Sequence, residues 1–590
     1  MKQFLKYVLA TMTGMFLFFL VMGFLGMMCM IGMVASSQGQ TKVEENTVMV
    51  MDLSGSLEER SQSDPFSMLA GSSSSSTGLD EMLSAIKKAK DNDDIKGIYM
   101  EAGAFSADSY ASLQAIRKAL VDFRKSGKWI VAYGDSYTQG TYYLASAANK
   151  IYLNPQGMVD WHGIAAQRTY LKDLMAKFGV KMQVAKVGTY KSAVETFTND
   201  HMSDADREQT EAYINGIWQN VTKDVAESRH ISVETLNAYA DSLITFANPN
   251  DYIKMKMVDG LLYTDQVKAE VKKLLKLGED DDICQLDISS VASLPDDNDA
   301  DNKIAVYYAY GDIVDGAASN PLQQEMQIDA QVVCKDLAKL MDDDDVKAVV
   351  LRINSGGGSA YASEQIWHQL MELKKKKPVV VSMGGMAASG GYYISAPANW
   401  IVAEPTTLTG SIGIFGMFPD VSGLLTEKLG LKFDDVKTNK NSTFGTNARP
   451  FNEEEMRLLE RYIDRGYKLF RQRVAEGRKM TTEQVENIAQ GHVFIGQDAF
   501  KLKLVDQLGG LDEALAKAAQ LAKLNEYYTE TYPAAPDWLD SLLKEHSANN
   551  YLNEQMRMML GEYYEPFLLM KTINEQSAIQ ARVPYYININ

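Results

Sequence analysis

One stretch of the chain reads Met383-Gly-Gly-Met-Ala-Ala-Ser389-Gly-Gly-Tyr-Tyr-Ile-Ser395, and it directly continues the apolar run Pro378-Val-Val-Val-Ser-Met383. A short β-branched run, then glycines, then a helix-compatible segment predicts a strand, a sharp turn and a helix that starts at Ser389. The unpaired N–H groups and the positive dipole end of a first helical turn stabilise an alkoxide or an oxyanion. The stretch therefore suits a nucleophilic serine, although an ordinary helix-capping serine gives the same pattern.

The segments around this stretch alternate between strand and helix patterns. In the second half of the chain the predicted elements are strand 303–309, helix 331–341, strand 348–353, helix 364–375 and strand 378–383. The first half has the same order, with strand 47–52, helix 79–90, strand 95–100, helix 109–125 and strand 129–132. This alternation predicts α/β units with largely parallel sheets.

The two halves also align residue by residue. The first-half stretch Tyr133-Gly-Asp-Ser-Tyr-Thr-Gln-Gly-Thr-Tyr-Tyr143 lies over 383–393 at a constant offset of 250 residues. The chain is therefore predicted to be a tandem duplication. At this offset Ser389 aligns with Gln139, so the first copy has the turn and the Tyr-Tyr pair but no nucleophile. The asymmetry favours a functional role for Ser389 over a capping role.

A serine nucleophile needs a base to activate it. None of the six histidines has an aspartate partner at a telling spacing. A lysine can replace histidine if burial lowers its pKa enough to leave the amine neutral near pH 7. Lys191 lies among small and apolar residues in Val187-Gly-Thr-Tyr-Lys-Ser-Ala-Val194, whereas most lysines lie in polar runs. Beyond residue 164 the halves continue as Phe178-Gly-Val-Lys181 over Leu429-Gly-Leu-Lys432, an offset of 251 residues that puts Ser442 opposite Lys191. The first half thus has the lysine without the serine nucleophile, and the second half has the serine without the lysine.

Composition excludes several classes of partner. The 590 residues are 46% hydrophobic, which is ordinary for a globular protein of several domains. The net charge of −18 leaves no basic surface to neutralise phosphates, so no nucleic-acid partner is expected. Three cysteines do not form a disulfide framework or a cysteine zinc site, so no metal is expected.

The N-terminus has an uncharged apolar run from about residue 7 to residue 35, preceded by Lys2 and Lys6. A helix of this length spans the roughly 30 Å hydrocarbon core and exceeds the core of a signal peptide. The run predicts a retained anchor with a cytoplasmic N-terminus and the rest of the chain on the other side of the membrane. Small residues at Val34-Ala35-Ser36-Ser37 leave a cleaved signal as the alternative.

Four short motifs follow the apolar run. In chain order they are VGTYKSAVE around Lys191, Asn354-Ser-Gly-Gly-Gly358, AASGGYYIS around Ser389, and Leu408-Thr-Gly-Ser-Ile-Gly-Ile-Phe-Gly416. Together they resemble the long, duplicated form of the bacterial signal peptide peptidase family, also called protease IV, from about residue 47 to about residue 525. One residue departs from the family pattern, because Gly356 stands where that family usually has proline.

The resemblance implies an α/β fold that is a tandem duplication of a Clp protease/crotonase-like unit of stacked ββα repeats, preceded by one transmembrane helix. The expected segments are a cytoplasmic stub and anchor (1–36), a tether (37–46), a first half carrying the lysine (47–278), a linker (279–302), a second half carrying the serine (303–525) and a helical extension (526–590). Within the extension, 538–543 and 556–570 have helical spacing.

The resemblance also implies a site. It assigns Ser389 as the nucleophile, Lys191 as the general base and Ser411 as the residue that orients the lysine amine. The oxyanion hole would come from Gly357 or Gly358 together with Gly390. From the residues alone, the glycine turn can also be a plain strand–helix connection, and Ser411 a buried turn hydroxyl. The family uses no metal or other cofactor.

The function implied is a serine endopeptidase with a Ser/Lys dyad that degrades cleaved signal peptides in or at the cytoplasmic membrane. The family resemblance implies a homotetramer, with a single-pass anchor in the inner membrane and the catalytic part on the periplasmic side. The alternative is a catalytically inactive membrane-anchored scaffold of the same fold. A crotonase-type acyl-CoA enzyme is disfavoured, because CoA is not expected outside the cytoplasmic membrane and that chemistry needs no serine–lysine pair.

Overall fold

The computed structural model describes residues 43–61, 76–295, 300–316, 327–534 and 579–582, together with residues 6, 7, 11–15, 17–19, 21 and 22. Most of the predicted anchor and both predicted helices of the extension, 538–543 and 556–570, lie outside the described residues. Among the residues that are described, none belongs to a helix that is long and apolar enough to cross a membrane.

The first half is built on a seven-stranded parallel sheet. Its strands lie in the order Thr77–Gly78, Thr47–Glu58, Ile95–Ala107, Trp129–Tyr137, Lys150–Val159 and Gly260–Leu261, with Gln285–Asp287 also paired to Thr47–Glu58. The helices of this half are Leu79–Asp91, Tyr110–Arg124, Gln139–Ala145, Lys172–Lys177, Glu195–Thr198, Asp204–Arg229, Val233–Asp241, Pro249–Lys254, Thr264–Leu275 and Ile288–Ala292, with a 3-10 turn at Ile244–Phe246.

The second half is built on an eight-stranded sheet. Its strands lie in the order Val493–Ile495, Leu408–Gly410, Val379–Ala388, Val346–Ser355, Lys303–Tyr310 and Tyr528–Tyr532, while Trp400–Ala403 bridges Val379–Ala388 and Gln507–Leu508. The helices of this half are Ala330–Asp342, Ala360–Lys376, Gly390–Ser395, Glu453–Arg478, Thr482–Ile488, Gly496–Lys501 and Leu511–Ala522, with a π-helical turn at Leu424–Lys428. Only Val493–Ile495 among these strands is antiparallel to its neighbour.

The two sheets repeat one another. Six parallel strands follow in the same order in both sheets. In the first half they are Gln285–Asp287, Thr47–Glu58, Ile95–Ala107, Trp129–Tyr137, Lys150–Val159 and Gly260–Leu261, and in the second half Tyr528–Tyr532, Lys303–Tyr310, Val346–Ser355, Val379–Ala388, Trp400–Ala403 and Gln507–Leu508. Equivalent tyrosines make equivalent contacts, because Tyr142 donates a hydrogen bond to the carbonyl of Met257 (2.8 Å) and Tyr392 to the carbonyl of Leu504 (2.8 Å). The predicted tandem duplication of an α/β unit is therefore confirmed.

A third, six-stranded sheet joins the halves. Its strands lie in the order Gln327–Asp329, Asp312–Val314, Gly357–Ser359, Ile579–Arg582, Phe415–Asp420 and Lys181–Lys186. The last of these comes from the first half and pairs antiparallel with Phe415–Asp420 of the second. The halves also share apolar contacts, since the core of the first includes Ala388 and Leu408 of the second. The two halves therefore pack as one body around their junction.

Two segments differ from their sequence-based descriptions. The stretch expected to be a linker contains Gln285–Asp287, which pairs with the first-half strand Thr47–Glu58 and extends that sheet. Within the expected helical extension, the described residues include two strands, Tyr528–Tyr532 and Ile579–Arg582. Both pair with strands of the second half, because exposed sheet edges offer unpaired backbone groups to any adjacent extended chain.

Candidate active site

Ser389 lies at the sharp turn between the strand Val379–Ala388 and the helix Gly390–Ser395. Its backbone has φ 55° and ψ −113°, a conformation that side-chain-bearing residues rarely adopt. Its N–H donates to the carbonyl of Gly410 (2.9 Å), and its side chain makes no capping hydrogen bond to the helix. The turn therefore directs the hydroxyl away from the helix that follows it.

The hydroxyl of Ser389 meets the amine of Lys191. The Nζ atom of Lys191 lies 2.8 Å from the Oγ atom of Ser389, within one chain. Both side chains are completely buried, although they come from different halves and are far apart in sequence. The structure thus brings together the two residues that the sequence indicated as nucleophile and base.

Burial lowers the pKa of the Lys191 amine well below its usual range, and loss of hydration is the cause. A neutral amine has two N–H donors and one lone pair. The carbonyl oxygen of Ser411 (3.3 Å) and its Oγ atom (2.9 Å) can accept the two N–H groups. The lone pair then remains available to the hydroxyl proton of Ser389.

Ser411 is held in a strained position beside the lysine. It is completely buried, its φ is 48°, and its N–H donates to the carbonyl of His492 (2.6 Å). This one residue thus offers both its hydroxyl and its carbonyl oxygen to Lys191. Ser411 is a buried turn residue, and its role in orienting the lysine amine stays a prediction.

The loop around Lys191 packs against a turn of the second half. The N–H of Tyr190 donates to the carbonyl of Gln490 (2.9 Å). Gly491 has φ +83°, and a Cβ atom there would lie 2.7 Å from the backbone N, the Cα and the Cβ of Lys191. The sequence analysis did not identify Gly491, and the only signal for this contact in the sequence is the glycine itself.

The glycines that are predicted to form the oxyanion hole lie next to the start of the helix that follows Ser389. Gly357 and Gly358 have φ 107° and 152°, and a Cβ atom on Gly357 would lie 2.8 Å from the backbone N of Gly390. The N–H of Gly357 donates to the Oγ atom of Ser355 (3.1 Å). The N–H of Gly357 is therefore already engaged, and Gly358 is paired with Ile313 on one side and with Ala581 on the other.

Two histidines do have aspartate partners, but neither reaches the serine. His162 contacts Asp160 (2.8 Å), and His201 contacts Asp200, at exposed positions. Among the described residues, the hydrogen-bond partners of the Ser389 hydroxyl are Lys191 and the carbonyl of Gly413 (3.5 Å). In the described part of the chain, the titratable side chain that contacts the Ser389 hydroxyl is therefore a lysine and not a histidine.

The equivalent position in the first half is occupied by Gln139. Gln139 is buried, and its amide donates to the hydroxyl of Tyr110 (2.7 Å) and the carbonyl of Gly163 (3.1 Å). Its side-chain oxygen accepts from the N–H groups of His162 (3.1 Å) and Gly163 (2.9 Å). The Gln139 amide therefore uses both its donor and its acceptor in hydrogen bonds to neighbouring groups, at the position where the second half has the Ser389 hydroxyl.

Comparisons with known proteins agree with this architecture. The sequence pattern of peptidase family S49 matches residues 106–278 and 371–525, and that of Clp protease matches residues 319–401. The chain is 36% identical to "Protease 4" of Salmonella typhi, covering 98% of this chain and 93% of that protein. It is 29% identical to "Serine protease SPPA, chloroplastic" of Arabidopsis thaliana, covering 82% and 70% of the two chains. It is 34% identical to "Putative signal peptide peptidase SppA" of Enterococcus faecium, covering 42% and 73%.

Replacing Gly491 by alanine tests the contact that positions Lys191. The new Cβ atom would lie 2.7 Å from the lysine backbone, so the lysine must shift. We expect kcat for peptide hydrolysis to fall by about a hundredfold with KM little changed, because displacement of a catalytic group by about 1 Å has this effect. Steady-state kinetics on a fluorogenic peptide measures both constants.

Gly127→Ala is the matched control. Gly127 has φ +86°, nearly that of Gly491, but open space surrounds the position of its Cβ atom. This variant carries the same backbone strain without the clash, so it should retain kcat. Equal losses of kcat in the two variants would show that strain, and not the position of Lys191, causes the effect.

Proposed function

The chain belongs to peptidase family S49, and we propose that this serine peptidase uses Ser389 as its nucleophile and Lys191 as its general base. The observation that carries the proposal is the 2.8 Å distance between the lysine Nζ and the serine Oγ in a fully buried pocket. Among the residues that the structure describes, buried Lys191 has no ionic partner, which favours its neutral form, the form that can accept a proton.

The proposed reaction has two stages. Lys191 takes the hydroxyl proton as Ser389 attacks the peptide carbonyl, and the N–H groups of Gly358 and Gly390 stabilise the oxyanion. The protonated lysine gives its proton to the leaving amine, which leaves an acyl-enzyme on Ser389. Water then attacks the ester, Lys191 accepts its proton and returns it to the serine, and Ser411 keeps the amine in line throughout.

We propose cleaved signal peptides as the substrates. A relative of this chain has the name "Putative signal peptide peptidase SppA". The strands Gly357–Ser359 and Phe415–Asp420 hold the extended segment Ile579–Arg582 between them by antiparallel pairing, so an extended peptide in place of that segment would bind through backbone hydrogen bonds. Such binding depends little on side-chain identity, which suits a peptidase that degrades apolar segments of varied sequence.

We also propose that residues 1–36 anchor the chain in the cytoplasmic membrane, with the catalytic part on the periplasmic side as a homotetramer. The support is the uncharged apolar run after Lys2 and Lys6, together with the family resemblance.

The full chain should stay in carbonate-washed membranes, while a chain without residues 1–36 should be released and sediment as a tetramer. A released full chain would refute the anchor, and a monomer at micromolar concentration would refute the assembly.

Substitutions at the two site residues test the catalytic assignment. Ser389→Ala and Lys191→Arg should each lower kcat for a peptide substrate by about a thousandfold or more, because the first removes the nucleophile and the second provides a cation that cannot deprotonate. The double variant should be no less active than either single variant, because the two residues act as a unit. Thermal unfolding of Ser389→Ala should match that of the wild type.

Lys273→Arg serves as the matched control. Lys273 is exposed and pairs with Glu270 (2.6 Å), so this exchange should leave turnover unchanged. Near-normal turnover of Lys191→Arg would show that the lysine is only a structural cation. An inert wild type with an intact fold would instead support the scaffold alternative.

A further inference from the structure

A buried glutamine of the first half lies beside the loop that carries Lys191. Gln209 is in the second turn of the helix Asp204–Arg229, and its side chain is completely buried. Its Nε2 atom donates to the carbonyl of Tyr190 (3.1 Å), which directly precedes the lysine, and to the Oγ atom of Ser192 (3.0 Å), which directly follows it. The amide thus holds the chain on both sides of Lys191.

The oxygen of the same amide reaches the second half of the chain. The N–H of Val493 donates to the Oε1 atom of Gln209 (3.2 Å). Val493 is paired with Gly410, whose carbonyl accepts from the N–H of Ser389 (2.9 Å). One side chain therefore joins the loop of the lysine to the strand that holds the backbone of the serine.

A ring contact beside this amide joins the same two segments. The ring of Tyr190 stacks on that of His492, with 4.2 Å between the ring centroids and 10° between the ring planes. The carbonyl of His492 accepts from the N–H of Ser411 (2.6 Å), the residue whose hydroxyl contacts the lysine amine. The segment that Gln209 and Tyr190 contact therefore also holds Ser411.

The partners of Gln209 require an amide in one orientation. Its nitrogen faces three oxygen atoms, the two given above and the Oδ1 atom of Asp206 (3.1 Å), while its oxygen faces an N–H group. An amide has donors at one end and an acceptor at the other, so it satisfies both sides, and the reverse orientation would satisfy neither. Asp206 is itself completely buried and forms an ion pair with Arg168 (2.5 Å). Gln209 is therefore held from its own helix as well as from the two segments that it joins.

We propose that Gln209 is a positioning residue for the reaction, which sets the place of the Lys191 amine relative to the hydroxyl of Ser389. The inference rests on the proposed function, because it takes Lys191 as the base. Lys191 lies on a loop between the strand Lys181–Lys186 and the helix Glu195–Thr198. A long side chain on a loop reaches a fixed point only if the backbone at its root is held, and the hydrogen bonds of Gln209 on both sides of the lysine provide this support.

Gln209→Met tests the proposal in the full-length protein. Methionine is similar in length, but its thioether has no proton to donate and accepts only weakly, so the hydrogen bonds to Tyr190, Ser192 and Val493 are lost. We expect kcat for a fluorogenic peptide to fall by about a hundredfold with KM little changed, because displacement of a catalytic group by about 1 Å has an effect of this size. A variant with the kcat of the wild type would overturn the proposal.

Gln139→Met is the matched control. Gln139 is also buried, and its amide likewise donates and accepts hydrogen bonds, but its partners Tyr110, His162 and Gly163 are not on the loop of Lys191. This variant should unfold at a lower temperature than the wild type and keep its kcat. An equal loss of kcat in the two variants would refute the positioning role, because loss of any buried amide would then be enough.

Gln209→Glu decides the question if Gln209→Met does not fold at the assay temperature. The carboxyl group has the shape of the amide, but it has at most one proton to donate where the amide has two. We expect kcat to fall by at least about tenfold with KM little changed, since the lysine loop is then held less firmly. Wild-type kcat in this variant would contradict the proposal.

Lys191→Met separates the positioning role from the proposed function. If Lys191→Met loses its turnover while Gln209→Met keeps that of the wild type, only the positioning role is refuted. If Lys191→Met keeps wild-type turnover, the lysine is not the base, and the proposed function fails together with the inference. The residual turnover of the double variant should equal that of Lys191→Met, because Gln209 acts through the lysine. A further loss in the double variant would show that Gln209 acts by another route and would overturn the proposal.

Discussion

The contact between the amine of Lys191 and the hydroxyl of Ser389 is the constraint on which the rest of the site depends. Both groups are completely buried, and among the described residues Lys191 has no ion-pair partner. Burying an unpaired charge costs several kcal/mol, so the pocket favours the neutral amine. The positive φ angles of Ser389 and Ser411 are strained conformations that the surrounding structure must hold in place.

The duplication explains why the two residues come from different halves. In the first half the amide of Gln139 fills the turn that, in the second half, presents Ser389 to Lys191. Lys191 in turn reaches the second half because the strand before it, Lys181–Lys186, pairs with Phe415–Asp420. A buried ion pair of Arg352 with Glu59 (2.5 Å) further joins the halves. The site is therefore assembled only when both copies fold against each other.

Much of this arrangement could be predicted from the sequence. Periodicity and the 250-residue offset gave the α/β duplication, and the apolar surroundings of Lys191 and the glycines around Ser389 indicated both site residues. The strand predicted to end at Met383 continues to Ala388, because Met386 to Ala388 pair with Leu408–Gly410 across the glycines. Such pairing is a long-range contact that local patterns do not record.

The same limit applies to the residues that sequence reasoning missed. Gly491 is significant only because Lys191, far away in sequence, packs on its Cα atom. The strand Ile579–Arg582 is short, and nothing in its composition indicates the groove in which it lies. The role of Gly491 and the position of this strand both depend on tertiary contacts between segments that are distant in sequence. Single-residue chemistry and spacing could therefore identify the reacting groups but not the parts that position them.

Labelling with a serine-directed phosphonate, followed by peptide mapping, tests the central claim most directly. A protonated amine cannot accept the serine proton, so the labelling rate at Ser389 should rise with pH as Lys191 deprotonates. Because burial lowers the pKa of Lys191, the midpoint should lie well below the ordinary lysine value of about 10.4. In Lys191→Met protein the label should be nearly absent at every pH. Labelling of Ser389 at equal rates with and without the lysine, or labelling at a different serine, would contradict the account.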